Sequence, residues 1–248
     1  TIYNLNVDTI NKIKRLGLWI FLITFISVNV CLILSQSFEF REHDVPSPGN
    51  YYGDLKIYNI GDAIADKSSE WIIPYLDGTS SISRVVRVFP NNILFKLSMF
   101  VTGILLIRYW LLNKKLIEDL KIKETATNKM IFFGICSAIF LIIHSIFLGI
   151  KFDIAIYKLF RRIILLLFIL MEITAQFYLI KIFYKNKDLI EKFINIKILN
   201  IKKMLVYLLI LVAIIILPFL PFANLKILKH ALEWNYFLGV ITFYMLTF

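Results

Sequence analysis

The chain has 248 residues, 59% of them hydrophobic, and a mean hydropathy of +0.75. Soluble domains have an apolar share of about 45–50%, so the composition excludes an ordinary soluble protein and indicates an integral membrane one. The net charge of +11 does not indicate a nucleic-acid binder, because Lys and Arg fall between apolar runs rather than on one basic face; that placement points to membrane topology and anionic headgroups.

Lys12, Lys14 and Arg15 precede the first apolar run, 16–34. The run exceeds the 7–15 residues or so of a signal-peptide core, and no small-x-small cleavage site follows. It is expected to be a retained span entering from the cytoplasmic side, with Asn29 making an interhelical hydrogen bond. Cys31 here and Cys136 in the third run read as small buried apolar residues rather than half of a disulfide or zinc framework.

Residues 37–92 form the one long polar segment, rich in Pro and Gly turn formers. Eight acids against five bases place it on the external side. Its aromatic and apolar residues (Tyr51, Tyr52, Tyr58, Trp71, Ile72, Ile73, Tyr75) argue for an ordered lid over the helices rather than a disordered connector.

The second run, 93–112, carries Lys96 and Arg108 close to its two ends, where long basic side chains snorkel to headgroups. A lysine-rich cytoplasmic connector leads to the third run, 130–150, with His144 two-thirds along it. Such a histidine reads either as a hydrogen-bonded packing residue or as part of a site. His43, His144 and His230 form no HxxxH or HExxH pattern, so no metal or other cofactor is implied.

The fourth run, 163–183, is preceded by Arg161-Arg162 and holds Glu172 near its midpoint. About 20 helical residues cross a bilayer core about 30 Å thick, so Glu172 is expected near the bilayer centre. Gln176 extends the polar stripe one turn on. Two readings stand: a buried site for a lipid headgroup, proton or ion, and a protonated acid that cross-links helices.

Between the fourth and fifth runs, Leu189, Ile190, Phe193, Ile194 and Lys197 recur at helical spacing. They suggest either an amphipathic helix on an anionic leaflet or a plain positive connector. The fifth run, 204–222, ends at Pro218 and Pro221, and the sixth, 231–248, opens with Glu233-Trp234, placing Trp234 in the interfacial aromatic belt. The residues after His230 are few for a full crossing plus a tail, so a missing C-terminal tail is consistent with the pattern.

Three stretches carry a resemblance. They are Pro74-Tyr75-Leu76-Asp77-Gly78 at the end of the external loop, Arg162 followed three turns later by Glu172, and Glu233-Trp234 with the closing Phe243-Tyr244-Met245-Leu246-Thr247-Phe248. In these the chain resembles the FRAG/DRAM/SFK family of six-span membrane proteins over nearly its whole length, although the loop stretch here lacks that family's serine and one spacer. The resemblance implies lipid work, including remodelling of GPI anchors and modulation of autophagy or lipid asymmetry, with membrane lipids as partners.

The expected architecture is thus all-α, a polytopic bundle of six spans with both termini cytoplasmic and the long loop outside. The expected function is lipid handling at an outward-opening polar site. Glu172, His144 and Glu233 are the catalytic candidates, and Asp77, Arg162, Glu172, Gln176, Glu233 and Trp234 the headgroup-binding candidates. As an enzyme the protein would use Glu172 or Glu233 as general base with His144 as partner in acyl or headgroup transfer, these groups lying within hydrogen-bond reach of each other or of one substrate atom. As a scaffold or regulator it would need the pocket alone. A proton-coupled transporter is a weaker alternative, since no internal repeat or broken helix is apparent.

Overall fold

The computed structural model describes residues 2–37, 73–86, 89–148, 155–216 and 226–248. Residues 38–72, 87–88, 149–154 and 217–225 lie outside the described residues, and with them most of the expected lid.

The described residues are helical throughout, apart from turns. In chain order they are α1 (Ile2–Ser37), the short α2 (Pro74–Asp77) and α3 (Ile82–Val85), α4 (Asn91–Asp119), α5 (Thr125–Phe147), α6 (Ala155–Lys185), the single turn α7 (Lys187–Ile190), α8 (Ile196–Ile216) and α9 (Lys226–Met245). In hydrocarbon no water serves the backbone, so spanning segments must bond internally, and long apolar helices do so. Among the described residues, five helices are long and apolar enough to cross a bilayer: Val7–Gln36, Asn91–Asp119, Thr125–Phe147, Leu159–Lys185 and Ile196–Ile216. The protein therefore has the architecture of an integral, multi-pass membrane protein.

The sixth expected span differs. Its helix, α9, starts at Lys226 and carries Lys229, His230, Glu233 and Asn235 in its first half, and it is not among the five helices apolar enough to cross by composition. The expected amphipathic helix after the fourth span is also not continuous. Helix α7 is one turn, residues 191–194 are turns, and α8 begins at Ile196.

The six long helices close into a ring in sequence order. Helix α1 packs on α4, α4 on α5, α5 on α6, α6 on α8, α8 on α9, and α9 returns to α1. One end of the ring carries the lysines of the α4–α5 and α6–α8 connections; the other carries α2, α3 and the start of α9.

At that second end the chain is strapped down. Pro74 fits the first turn of α2, where no N–H is needed. Gly78 then closes the turn at φ +60°, where a Cβ would fall on the Ile227 carbonyl. Asn91 ties α4 to the neighbouring segments, its Nδ2 donating at 3.0 Å to the carbonyls of Cys31 and Val85.

Candidate functional site

Glu172 lies inside the ring, 1% exposed. Three donors from three helices surround its carboxyl. Ser137 of α5 donates to Oε2 at 2.6 Å, Gln176 one turn along α6 donates to Oε1 at 3.1 Å, and the phenol of Tyr244 in α9 donates to Oε1. The Gln176 amide also reaches the Val240 carbonyl at 3.4 Å, so α6 and α9 meet across the ring. A buried carboxyl is tolerated when its lone pairs are satisfied in this way.

Aromatic rings pack around these donors. Tyr109 meets Tyr244 edge-on at 5.0 Å and Trp110 at 5.2 Å, and all three are buried. Gly134 on α5 makes room for the indole: a Cβ there would stand 2.5 Å from Trp110 ring carbons. The Trp110 Nε1 lies near enough to interact with Glu172, yet makes no hydrogen bond of ordinary geometry. The shell is close-packed, and Glu172 has almost no free surface.

The helical repeat of about 100° per residue organises what lies outward of this cluster. His144 is seven residues after Ser137, about 20° away on the same face and about 10 Å farther out. Arg161 is eleven residues before Glu172, and Glu233 eleven before Tyr244, each again about 20° off and about 16 Å out. The three helices that meet at Glu172 therefore each carry a second ionisable residue on the same face, toward the strapped end. His144 and Arg161 are close enough to interact electrostatically, and the His144 Nδ1 is buried with no hydrogen-bond partner among the described residues.

These placements sort the sequence candidates. Glu172 and Gln176 are hydrogen-bonded together at the centre. His144 and Glu233 stand outward of it, in a second tier rather than in one hydrogen-bonded cluster with Glu172. Arg162 is exposed, and its neighbour Arg161 takes the inward face. Arg162 is ten residues from Glu172, about 80° round the helix, whereas eleven residues nearly complete three turns.

Asp77 serves its own turn. Its carboxylate accepts from the Ile73 N–H at 2.9 Å, the Thr79 N–H at 2.9 Å and the Thr79 hydroxyl at 2.8 Å. Trp234 is fully buried rather than interfacial: its indole N–H donates to the Ser80 carbonyl at 2.8 Å and its ring meets Tyr75 at 4.9 Å. The Asn235 amide donates to the Tyr75 carbonyl at 2.7 Å, and His230 Nδ1 lies 3.0 Å from the Gly78 carbonyl. The Tyr75 hydroxyl in turn donates to Asn29 of α1 at 3.1 Å, so Asn29 bonds to the strap rather than to another span. Burial pushes the Tyr75 phenol above its ordinary titration range, with the Asn29 bond opposing in part.

Sequence reasoning missed Ser137, Tyr244, Tyr109 and the buried Lys202 of α8. Leu199, Lys202, Val206 and Leu209 are the buried residues of α8, and their 3-4-3 spacing is the signal that placed Lys202 on the core face.

Comparison of the chain with family models, with curated proteins and with solved structures gives no match.

Proposed function

We propose that the protein handles membrane lipid at a polar site that opens toward the strapped end of the bundle and has Glu172 as its floor. One observation carries the reading. Leu165 and Leu179 lie seven residues either side of Glu172 on the same face; Leu179 is buried and Leu165 is partly exposed. On α5 Met130 is buried and His144 partly exposed, beside a face that stays buried at Leu141, Ser145 and Leu148. From Leu165 to Met171 every residue of α6 is partly exposed, so this stretch lacks the fully buried face that helices show in a packed core.

The outer tier has the chemistry for a headgroup. Arg161 offers a planar fork suited to phosphate, His144 a ring nitrogen, and Glu233 an acceptor for a hydroxyl or amine. Exposed apolar side chains on the surrounding helices, such as Leu97, Met204 and Leu211, suit acyl chains. The sealing of Glu172 favours binding over catalysis at that residue, because a general base must reach a substrate proton. A lipid-binding regulator or scaffold is accordingly preferred to an enzyme that uses Glu172 as base.

Mass spectrometry of lipids retained after mild detergent purification tests the reading, with wild type compared with His144→Phe and Arg161→Gln. A defined lipid class retained by the wild type and lost in both variants supports it. The same bulk lipid in all three proteins, each folded, counts against it.

A further inference from the structure

A buried base stands in the same core as the buried acid. Lys202 Nζ donates to the Thr247 hydroxyl at 2.6 Å and lies 4.2 Å from the centre of the Phe243 ring. Among the described residues no carboxylate pairs with it. The Thr247 Oγ1 is also 3.2 Å from the Tyr109 hydroxyl, and the Tyr109 ring packs on Tyr244, which donates to Glu172. Lys202 and Glu172 are thus joined through a belt of three hydroxyl residues without touching each other.

The immediate surroundings of Glu172 accept it in two protonation states. Ser137 has one hydroxyl hydrogen and two acceptors within reach, the Gly134 carbonyl at 2.8 Å and Glu172 Oε2 at 2.6 Å. With Glu172 ionised, the serine donates to the carboxylate. With Glu172 protonated on Oε2, the acid donates to the serine oxygen and the serine turns to Gly134. Neither the serine hydroxyl nor the acid proton is stranded in either state.

Two isolated charges in an apolar core are each costly, and they compensate one another poorly without direct contact. We propose that the inner half of the bundle is a proton-binding site in which Glu172 and Lys202 titrate as one unit. Moving one proton from the Lys202 ammonium to the Glu172 carboxylate leaves a neutral amine and a neutral acid. Uptake of one proton from solvent then gives the ammonium with the neutral acid, and loss of one gives the amine with the carboxylate.

Among the described residues the other polar groups facing the pair are few, Gln176 of α6 beside Glu172 being one. Helices α4 and α9 contribute the phenols of Tyr109 and Tyr244, and α5 contributes the Ser137 hydroxyl. Helix α6 presents Tyr184 to the neighbouring Lys203 rather than to Lys202. His144 and Arg161 belong to the outer tier. The lipid reading shares Glu172 as its floor but takes its headgroup contacts from His144, Arg161 and Glu233, so the lipid retention of their variants and the titration of Glu172 with Lys202 can fail separately.

The test is an infrared titration of the full-length chain in lipid nanodiscs, following the carbonyl stretch of protonated carboxylic acid; Glu172→Gln assigns the band. Lys202→Met removes the cation and Lys202→Arg fixes it. The affinity of Glu172 for its proton should be about tenfold higher with Met than with Arg, each titrating in a single step. The wild type should lie between them and spread over two steps. Identical midpoints and slopes in wild type, Met and Arg proteins would overturn the proposal. So would the absence of a Glu172 band at every pH, and the Lys202 pair of variants keeps the test decisive if Glu172→Gln does not fold.

Discussion

The phenol of Tyr244 in α9 donates its hydrogen bond to Glu172 in α6 and so joins two helices that α8 separates in the ring. Both groups are buried, which makes the bond dearer to lose than a surface one. Tyr244→Phe keeps the ring packing against Tyr109 and removes only the donor. It should lower stability by about 1–3 kcal/mol, read as a fall in the thermal midpoint of the detergent-solubilised protein. An unchanged midpoint would mean that the acid is satisfied without α9.

The same shell separates two substitutions at the acid itself. Glu172→Gln keeps its oxygen for Tyr244 and Gln176 while its NH2 donates to Ser137, whose hydroxyl turns to the Gly134 carbonyl, and should change stability by less than about 1.5 kcal/mol. Glu172→Leu leaves the hydroxyls of Ser137 and Tyr244 and the Gln176 amide without this acceptor and should cost more than about 2 kcal/mol. Chemical unfolding of the two variants side by side checks the order, and equal losses would refute the account of the shell.

Gly134 and the Trp110 indole form the tightest contact behind the site. Gly134→Leu should push the indole away and cost at least about 1–3 kcal/mol through overpacking. Tryptophan fluorescence reports the displacement, and an emission spectrum identical to wild type would show that the ring had not moved.

At the strapped end, Trp234→Phe removes the bond to Ser80 and Gly78→Ala forces a side chain into the left-handed region against Ile227. Either change should loosen α2. Faster hydrogen exchange at the amides of Leu76, Asp77 and Gly78, which bond to Ile73 and Pro74 carbonyls, would show it. The amides of the Tyr109 turn should exchange as slowly as before.

Much of this organisation is legible in the sequence, and the exceptions have physical causes. Five apolar runs correspond to five helices of spanning length because backbone in hydrocarbon has few alternatives to a helix. Glu172 with Gln176 stood out because an acid in such a run demands partners. The partners themselves, Ser137 and Tyr244, are common residues in apolar helices, and only the ring closure of α9 onto α1 and α8 brings Tyr244 to the acid. Asp77 is a headgroup candidate through the family resemblance of its loop, whereas its carboxylate accepts from the Ile73 and Thr79 amides of its own turn. The resemblance pairs Glu172 with Arg162, ten residues before it, but one residue moves a side chain about 100° round a helix, and Arg161 is the one that shares the face of Glu172. Trp234 beside Glu233 suggested an interface, but an indole N–H can equally hold a strap carbonyl inside the fold.

The central claim is that the bundle is open on one side of Glu172 and closed on the other. Leu165→Cys and Leu179→Cys, each made with Cys31 and Cys136 replaced by Ala and reconstituted in vesicles, place thiols on the same face of α6 either side of the acid. A charged, membrane-impermeant thiol reagent should modify the cysteine at 165 from the strapped side and leave the one at 179 untouched. Equal protection of both, or modification of 179 alone, would contradict an outward-opening site.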